Sequence, residues 1–265
     1  MKGPDLLAAH HGRIRTAMGA CYPGSHAVFR GHDLHGELAD LDWVELFVFG
    51  ITGRRLTPAQ KRMVGALWVH TSYPDARLWN NRVAALAASN RSTPNLGLVA
   101  ALAVSEATVY GGQAGLASLG FLQRAAREVA DGAQLETLVL AEAGQRRVYG
   151  YGRPINSLDE RIPGIMALAR ELGLAEGVHL KLAFDIEAIL VARWPQLRMN
   201  YAALHAAIIS DMGMNAREYQ MLRLPTFLAG MPPGIVDAAD KPAGAFLPIR
   251  CDDIDYTGVA KREWP

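Results

Sequence analysis

The sequence predicts an all-α fold, and three observations lead to that prediction. Apolar residues recur with a period of about 3.6 along most of the chain. Alternating patterns typical of strands are nearly absent, since only residues 27–30 and 246–249 have strand character. At 265 residues, half of them apolar, the chain is long enough to bury a large core. We therefore expect helices packed on helices, in one large domain or in one domain with a smaller lobe.

Start and stop signals place the first two helices. The apolar segment over residues 42–50 has a helical period and ends at Gly53. Thr57 followed by Pro58 is typical of an N-cap with a proline in the first helical turn. The next helix is therefore expected over residues 58–70.

The later helices differ in the face that they should bury. Residues 96–108 are small and apolar on every side, which predicts a helix at the centre of a bundle. Residues 113–130 are apolar on one face and charged on the other, as expected of a surface helix. Pro232 and Pro233 predict a kink or a helix start. Further helices are predicted over residues 77–88, 161–172, 177–192 and 200–212.

Composition and charge argue against several classes of protein. A formal net charge of +1 gives no electrostatic reason to bind nucleic acid or an anionic membrane. The longest apolar stretches, such as residues 96–104, are too short to span a bilayer. Cys21 and Cys251 show no metal-ligand spacing, so we expect two reduced thiols and no metal site. Residues 1–15 lack the apolar core of a secretory signal, and a cytoplasmic location is expected.

Short motifs along the chain follow one family in order. Residues 150–155 read Gly-Tyr-Gly-Arg-Pro-Ile, and residues 159–161 read Asp-Glu-Arg. They resemble the Gly-Phe-Gly-His-Arg/Pro-Val/Ile…Asp-Pro-Arg signature of the citrate synthases and citryl-CoA lyases. The tail over residues 250–258 resembles the Arg-Pro-x-x-x-Tyr-x-Gly ending of that family, and more closely that of the lyase module of ATP citrate lyase. Weaker matches lie at residues 30–34, 38–41, 45–57 and 110–112.

The resemblance implies a domain organisation as well as a fold. It implies an all-α citrate synthase-like fold, with a large and a smaller helical domain that close over the substrate in a homodimer. On this alignment residues 1–29 form an N-terminal arm. Residues 30–136 and 219–265 form the large domain, and residues 137–218 form the small domain.

The resemblance also implies a coenzyme A ester as the substrate, with no permanently bound cofactor. The expected partner is thus an acyl-CoA small molecule. Gly150 and Gly152 leave room for backbone N–H groups to approach a phosphate or a thioester oxygen, and Arg153 and Arg161 supply positive charge. Because Arg161 is predicted to begin a helix, its replacement by alanine is expected to leave the fold intact. The other binding residues implied by the family motifs are Gly111, Gly112, Tyr151, Asn200 and Arg250.

The catalytic side chains of the family are replaced in this chain. Its histidine before Gly-Gly corresponds to Tyr110, and the histidine of Gly-x-Gly-His corresponds to Arg153. The aspartate of Asn-Val-Asp, the general base, corresponds to Ala202, and the carboxylate-binding arginine falls near Met231. Ordinary citrate synthesis is therefore not expected. Tyr110 and Arg153 nevertheless keep hydrogen-bond donors that can polarise a thioester carbonyl.

Two candidates for the missing groups each have a structural alternative. Tyr110 is either a general acid or base, or an aromatic residue packed before a helix start. His205 lies three residues after Ala202 and on roughly the same helix face. It is either a catalytic residue or a histidine packed with satisfied hydrogen bonds.

Residues 70–82 are dense in polar groups and occupy the place of the family's substrate loop. His70 and Asp75 are catalytic candidates there, and Arg77 and Arg82 are candidates for binding the substrate. The alternative is an ordinary helix start with Asp75 as its N-cap.

Two functions remain open from the sequence. The first is a carbon–carbon bond lyase or acyltransferase that acts on a coenzyme A thioester with rearranged catalytic groups. The second is a catalytically inactive acyl-CoA-binding subunit, or a partner of an active paralogue. The polar segment over residues 70–82 favours the enzyme, whereas Ala202 favours the inactive subunit.

Overall fold

The computed structural model describes residues 3–12, 14–109, 111–145, 147–154, 158–246 and 248–264. Within these ranges helices are the main secondary structure and strands are few, which confirms the predicted all-α fold. The α-helices are α1 (Gly3–Ala9), α2 (Trp43–Thr52), α3 (Pro58–Thr71), α4 (Trp79–Ser89), α5 (Pro94–Val104), α6 (Gly112–Ala130), α7 (Leu135–Gln145), α8 (Arg161–Glu171), α9 (Val178–Arg193), α10 (Tyr201–Asp211), α11 (Ala216–Leu222) and α12 (Met231–Ala239). Short 3₁₀ helices lie at Leu224–Gly230 and Cys251–Asp253.

A small antiparallel sheet precedes the helical body. Its strands are β1 (Gly19–Tyr22), β2 (His26–Phe29) and β3 (His32–Asp33), with β2 in the middle. The strand predicted over residues 27–30 is thus confirmed as β2. The other predicted strand, over residues 246–249, is not found, because none of its described residues is in a strand.

Local capping explains why α2 begins and ends where predicted. The Asp42 carboxylate accepts a hydrogen bond of 3.0 Å from the backbone N–H of Glu45, which satisfies one free donor of the first turn. At the other end Gly53 adopts a left-handed φ of 70°, and its N–H donates to Phe49. In α3 the Thr57 hydroxyl likewise accepts from the backbone N–H of Gln60, at 3.2 Å.

Two helices differ from their predictions. α4 begins at Trp79 rather than at Arg77, and its N-cap is Leu78, which has no capping side chain. Asp75 is therefore not the N-cap, and its carboxylate instead accepts from the backbone N–H of Arg77. α5 was expected to be buried on every side, but one face is open to solvent. Leu96 and Val99 are each 64% exposed, because only a stripe of small residues, Gly97, Ala101 and Ser105, is buried.

The chain divides into two compact units. The first comprises Met1–His70 and Thr108–Thr226, and the second comprises Thr71–Ala107 and Phe227–Pro265. In the first unit α6 packs against α9 and α10. That packing joins a helix of the predicted large domain to two helices of the predicted small domain. The predicted limits at residues 136 and 218 thus do not coincide with the limits of packing, and they remain a prediction about which segments close over a ligand.

Each unit has its own core. The first is built around α6, α9 and α10, and α6 buries Leu119 and Leu122 while Arg124 faces solvent, as its amphipathic pattern predicts. The second unit packs α4 against α5 and α12 through small side chains. The buried residues of its apolar core are Ala84, Ala85, Ala88, Ala101, Met231, Ile235 and Ala238. α12 begins at Met231 with prolines in its first turn, which confirms the predicted helix start.

No helix within the described ranges combines the length and the apolar character needed to cross a membrane.

Candidate active site

The glycine loop lies against the start of α10. The carbonyl of Gly150 accepts from the backbone N–H of Asn200 at 2.8 Å, and the carbonyl of Gly152 accepts from the Asn200 side-chain amide at 2.7 Å. The same Asn200 side chain caps α10, because its oxygen accepts from the N–H of Ala202 at 2.9 Å. One asparagine thus fixes the loop relative to the first turn of the helix.

Gly150 is required at its position for two reasons. Its φ of 94° lies in the left-handed region, which side chains disfavour. A Cβ atom there would lie 2.6 Å from both the Ala203 Cβ and the Ser118 Oγ. The predicted reason for this glycine was close approach to a ligand. In the folded chain, the absence of a side chain at Gly150 allows the loop backbone to pack closely against α10 and α6.

Tyr151 anchors the loop from inside the core. It is 6% exposed, and its hydroxyl donates to the carbonyl of Ala183 at 2.9 Å. Burial, and then the negative charge of Glu187, raise the pKa of the Tyr151 phenol well above its usual value. The side chain therefore points into the protein, which favours a role in holding the loop over the predicted contact with substrate.

Asp159 holds Arg161 at the point where α8 and α10 begin. The Arg161 guanidinium donates two hydrogen bonds to the Asp159 carboxylate, at 2.7 and 2.6 Å. The same carboxylate accepts from the backbone N–H groups of Arg161 and Tyr201, the first residues of the two helices. Positive helix ends and a cation thus surround one buried anion. Burial alone would raise the pKa of Asp159, but Arg161 and these N–H groups outweigh it and lower the pKa.

Arg161 also lies on an aromatic ring. Its Cζ is 4.5 Å from the centroid of Tyr201, a distance typical of a cation–π contact. The Tyr201 hydroxyl donates to the carbonyl of Leu67 in α3. Between the carboxylate and the ring, the Arg161 side chain is only 18% exposed. These contacts argue against the expectation that Arg161 can be removed without effect on the fold.

Arg153 connects the glycine loop to the residues that precede α8. Its Nη1 donates to the carbonyl of Leu158 at 2.7 Å and to the Glu160 carboxylate at 2.8 Å. The Arg153 side chain is 16% exposed, whereas that of Glu160 is 59% exposed. A guanidinium group is thus present where the family motif has a histidine, and one of its nitrogens binds the neighbouring Glu160 carboxylate.

His70 reaches the same neighbourhood from the end of α3. A Cβ atom on Gly164 of α8 would lie 3.1 Å from the His70 Cε1, so the imidazole packs on the helix turn that follows Arg161. His70 is partly exposed. The structure therefore brings His70, Arg153, Arg161 and Asn200 together around the starts of α8 and α10.

His205 lies deeper and also contacts Tyr201. Its ring stacks on Tyr201 at 5.7 Å, and its Nδ1 is 2.9 Å from the Tyr219 hydroxyl. Burial, and then the positive charge of Arg223, lower the pKa of His205 to about 3. His205 is 3% exposed and thus packed in the core, but its hydrogen bonds are not all satisfied, because among the described residues its Nε2 has no hydrogen-bond partner.

The Gly-Gly pair at the start of α6 lies next to a buried arginine. A Cβ atom on Gly112 would lie 1.2 Å from Nη1 of Arg223, a residue that is 5% exposed. Gly111 is the N-cap of the same helix. The glycine is therefore needed to admit Arg223, a residue that the sequence analysis did not single out.

Tyr110, a catalytic candidate from the sequence, lies outside the described residues, so its role stays a prediction. Ala202 is partly exposed in the first turn of α10, and it supplies no titratable group. Among the described residues, no group of three or more His, Cys, Asp or Glu side chains is placed to hold a metal ion.

The remaining candidates belong to the second unit. Asp75 and Arg77 form a hydrogen-bonded ion pair of 2.6 Å, and the Arg77 side chain is 89% exposed. The Arg77 guanidinium lowers the pKa of Asp75. Arg82 makes long hydrogen bonds, of 3.5 and 3.4 Å, to the carbonyls of Ala76 and Arg77. Arg250 is exposed and lies 3.4 Å from Asp252.

Three solved structures similar to this chain share its architecture. The citryl-CoA lyase from Hydrogenobacter thermophilus is 22% identical, with a TM-score of 0.82 over 95% of this chain and 97% of that chain. The chain has the citrate synthase-like fold. The resemblance that the motifs indicated is thereby confirmed at the level of the fold.

Two longer proteins contain the same fold. A mutant of ATP citrate lyase from Methanosaeta concilii, in complex with (3S)-citryl-CoA, is 16% identical, with a TM-score of 0.74 over 98% of this chain and 45% of that chain. The citrate synthase from Thermoplasma acidophilum, in a ternary complex with carboxymethyl coenzyme A and oxaloacetate, is 18% identical with a TM-score of 0.68. That match covers 84% of this chain and 59% of the synthase. No protein-family model and no curated protein matches the chain.

Proposed function

We propose that this chain is an enzyme that acts on a coenzyme A thioester, by carbon–carbon bond cleavage or by acyl transfer, with non-standard catalytic residues. One observation carries the proposal. Arg153 and Arg161 are held within one loop and helix start, against the Asn200-capped end of α10. Positive groups fixed before a ligand arrives lose little entropy when an anionic ligand binds.

The fold supports the choice of substrate. The similar structures include proteins named as a citryl-CoA lyase and a citrate synthase, and the complexes contain citryl-CoA and carboxymethyl coenzyme A. In this chain we assign Arg153 to an anionic part of the ester, and Tyr110 to a donor toward the thioester carbonyl or a departing oxygen. A phenol can supply a proton or stabilise an oxyanion without being ionised.

Ordinary citrate synthesis remains outside the proposal, because its proton-abstracting aspartate corresponds to Ala202. We propose that the coenzyme A ester is a substrate and not a permanently bound cofactor. We also propose that the chain acts as a cytoplasmic homodimer.

The second candidate is a catalytically inactive subunit that binds acyl-CoA or pairs with an active paralogue. Ala202 specifically favours it, because a methyl group in the first turn of α10 cannot accept a proton. The buried, neutral state of His205 favours it too, since this imidazole is poorly placed to replace the missing base.

A screen for turnover separates the two functions. Purified protein would be incubated with a panel of acyl-CoA esters, with and without a free carboxylate on the acyl group. The release of coenzyme A would be followed by chromatography, because the exposed thiols of Cys21 and Cys251 would react with a colorimetric thiol reagent. Release that depends on Tyr110 and Arg153 supports the enzyme. Binding of these esters without release would support the inactive subunit.

A further inference from the structure

The segment that joins α3 to α4 contains a turn over residues 75–78. The backbone N–H of Leu78 donates to the carbonyl of Asp75 at 3.1 Å, which closes the turn. The Asp75 carboxylate accepts from the backbone N–H of Arg77 at 2.8 Å and from its guanidinium at 2.6 Å. The turn therefore holds a carboxylate and a guanidinium side by side.

A buried asparagine in α4 binds the backbone of this segment. Asn81 is 3% exposed, and its Nδ2 donates to the carbonyls of Tyr73 and Asp75 at 2.6 and 2.9 Å. One NH₂ group carries two hydrogens, so it can serve both carbonyls at once. The buried amide of Asn81 thus fixes the chain at two points, one of which is the residue whose carboxylate binds Arg77.

The start of α12 limits the position of the same segment. Gly230, the N-cap of α12, lies so close to Tyr73 that a Cβ atom on Gly230 would overlap the Tyr73 carbonyl oxygen. The Tyr73 carbonyl is therefore contacted by both Asn81 and Gly230. All of these residues belong to the second unit, in which α4 packs against α12. The segment is thus held by two helices that are themselves packed together.

Arg77 is the charged group that this arrangement presents to solvent. Its side chain is 89% exposed, and its Nε and Nη2 bind the Asp75 carboxylate. Its Nη1 makes no hydrogen bond within the part of the chain that the structure describes. A guanidinium has five N–H donors in a planar fork, so Arg77 can bind a second anion while it keeps Asp75. No ion pair has to open for a ligand to reach it.

We propose that Asn81 is a positioning residue that fixes the turn over residues 75–78, so that Arg77 binds an anionic group of the coenzyme A ester, either a phosphate or a carboxylate on the acyl chain. The inference rests on the proposed function and adds to it a residue that acts on the ligand through another. An exposed arginine loses rotamer freedom when it binds an anion. Because Asp75 and Asn81 restrict Arg77 before the ligand arrives, less of that freedom is lost on binding.

Calorimetric titrations with acetyl-CoA and succinyl-CoA test the two residues together. Arg77→Ala should raise the dissociation constant by about tenfold, as expected for the loss of one charge-assisted hydrogen bond. Asn81→Asp keeps the size and removes both donors, and it should raise the constant by about three- to tenfold, which corresponds to the ordering of one side chain. Asn90→Asp makes the same chemical change at the exposed end of α4 and should leave the constant unchanged. An equal loss for both esters assigns the anion to the phosphates, whereas a loss confined to succinyl-CoA assigns it to the acyl carboxylate.

Limited digestion with trypsin tests the position of the turn without a ligand. Cleavage after Arg77 should be faster in Asn81→Asp than in the wild type or in Asn90→Asp, because a released turn opens locally more often. Equal rates of cleavage overturn the positioning role. Arg77→Ala alters an exposed side chain, so the titrations with this variant keep the inference testable even if Asn81→Asp does not fold.

The outcomes separate this inference from the proposed function. In the double variant, Asn81→Asp should cause no further loss beyond that of Arg77→Ala, because it acts through Arg77. Losses that add in the double variant overturn the inference, since Asn81 would then act on the fold in general. Unchanged binding of both esters by Arg77→Ala overturns it too and leaves the proposed function standing. The absence of binding of either ester to the wild type overturns the proposed function and this inference together.

Discussion

The Arg161 guanidinium lies over the ring of Tyr201, with 4.5 Å between Cζ and the ring centroid, while His205 stacks on the same ring at 5.7 Å. The stack connects a charged group at the loop to a neutral imidazole in the core. Because Asp159 fixes Arg161 and the first N–H of α10 at once, the stack and the helix start are held together.

Arg161→Ala should destabilise the protein by about 3–5 kcal/mol, because it leaves the buried Asp159 carboxylate without its cation. Unfolding in urea followed by circular dichroism measures the effect. Arg170→Ala, at an exposed position of the same helix, is the control and should change stability by less than about 0.5 kcal/mol. Combining Arg161→Ala with Asp159→Asn should restore part of the loss. Equal stability of Arg161→Ala and the wild type would show that Asp159 does not need its partner.

Gly112→Ala and Gly120→Ala should have opposite effects, although both lie in α6. A Cβ on Gly112 would meet the buried Arg223 guanidinium at 1.2 Å, so the change should destabilise by about 1–3 kcal/mol. At Gly120 nothing lies within 4 Å of the added atom. There the better helix propensity of alanine should stabilise by about 0.5–1 kcal/mol. Thermal unfolding of the two variants gives both signs, and a stable Gly112→Ala variant would contradict the position of Arg223.

Stability should fall in mild acid because of His205. Its pKa is lowered to about 3 in the fold, while an unfolded histidine titrates near about 6.5. Below about pH 6.5 the unfolded chain binds a proton that the folded chain does not, so the free energy of unfolding decreases as pH falls toward 3. His205→Gln should make this dependence shallower by up to one proton, or about 1.4 kcal/mol per pH unit. Identical slopes in urea unfolding between pH 6.5 and 4.5 would contradict a neutral buried His205.

Tyr110→Phe should leave acyl-CoA binding nearly unchanged and lower turnover by roughly 10²–10⁴-fold, if the phenol acts as an acid or an oxyanion donor. The substitution removes one hydroxyl and almost no volume. Calorimetry measures the binding, and single-turnover release of coenzyme A measures the chemistry. Tyr256→Phe, at an exposed position of the tail, serves as the matched control. Full activity of Tyr110→Phe would exclude the phenol from the mechanism.

The exposed apolar face of α5 should pack against a second copy of the chain. Leu96 and Val99 are each 64% exposed, and α5 carries no charged residue. Such a surface suits a two-fold interface. Light scattering at micromolar concentration should give a dimer for the wild type and a monomer for Val99→Glu. Asp131→Lys, a charge change at the end of α6, should not alter the mass. A monomeric wild type would refute the predicted homodimer.

Local signals in the sequence were sufficient for most of the fold. The end of α2 at Gly53 and the start of α3 at Thr57 and Pro58 depend on contacts between residues a few positions apart in the sequence. Both helix ends were predicted correctly. The start of α4 was misplaced, because the Asp75 carboxylate pairs with Arg77 before the helix begins. α5 was judged from its own composition, which cannot reveal how much of its surface is covered.

The candidate site was harder to predict, because its contacts join distant segments. The loop motif located Arg153 and Arg161, but nothing in it shows that Asp159 also binds the first N–H of α10. Arg223 was missed because its guanidinium occupies the space next to Gly112, a residue that is distant in the sequence. Tyr151 was expected at the ligand from its place in the motif. A large aromatic residue between two glycines of left-handed φ is equally suited to anchor the turn in the core.

The partly exposed position of Ala202 bears on whether packing explains the alanine at this position. In the first turn of α10 a carboxylate would face water and the positive end of the helix, both of which favour it. Packing therefore does not forbid an aspartate there, and Ala202→Asp should fold as well as the parent. Packing thus gives no reason for the alanine, and under the proposed function this position remains open to a restored acid–base group.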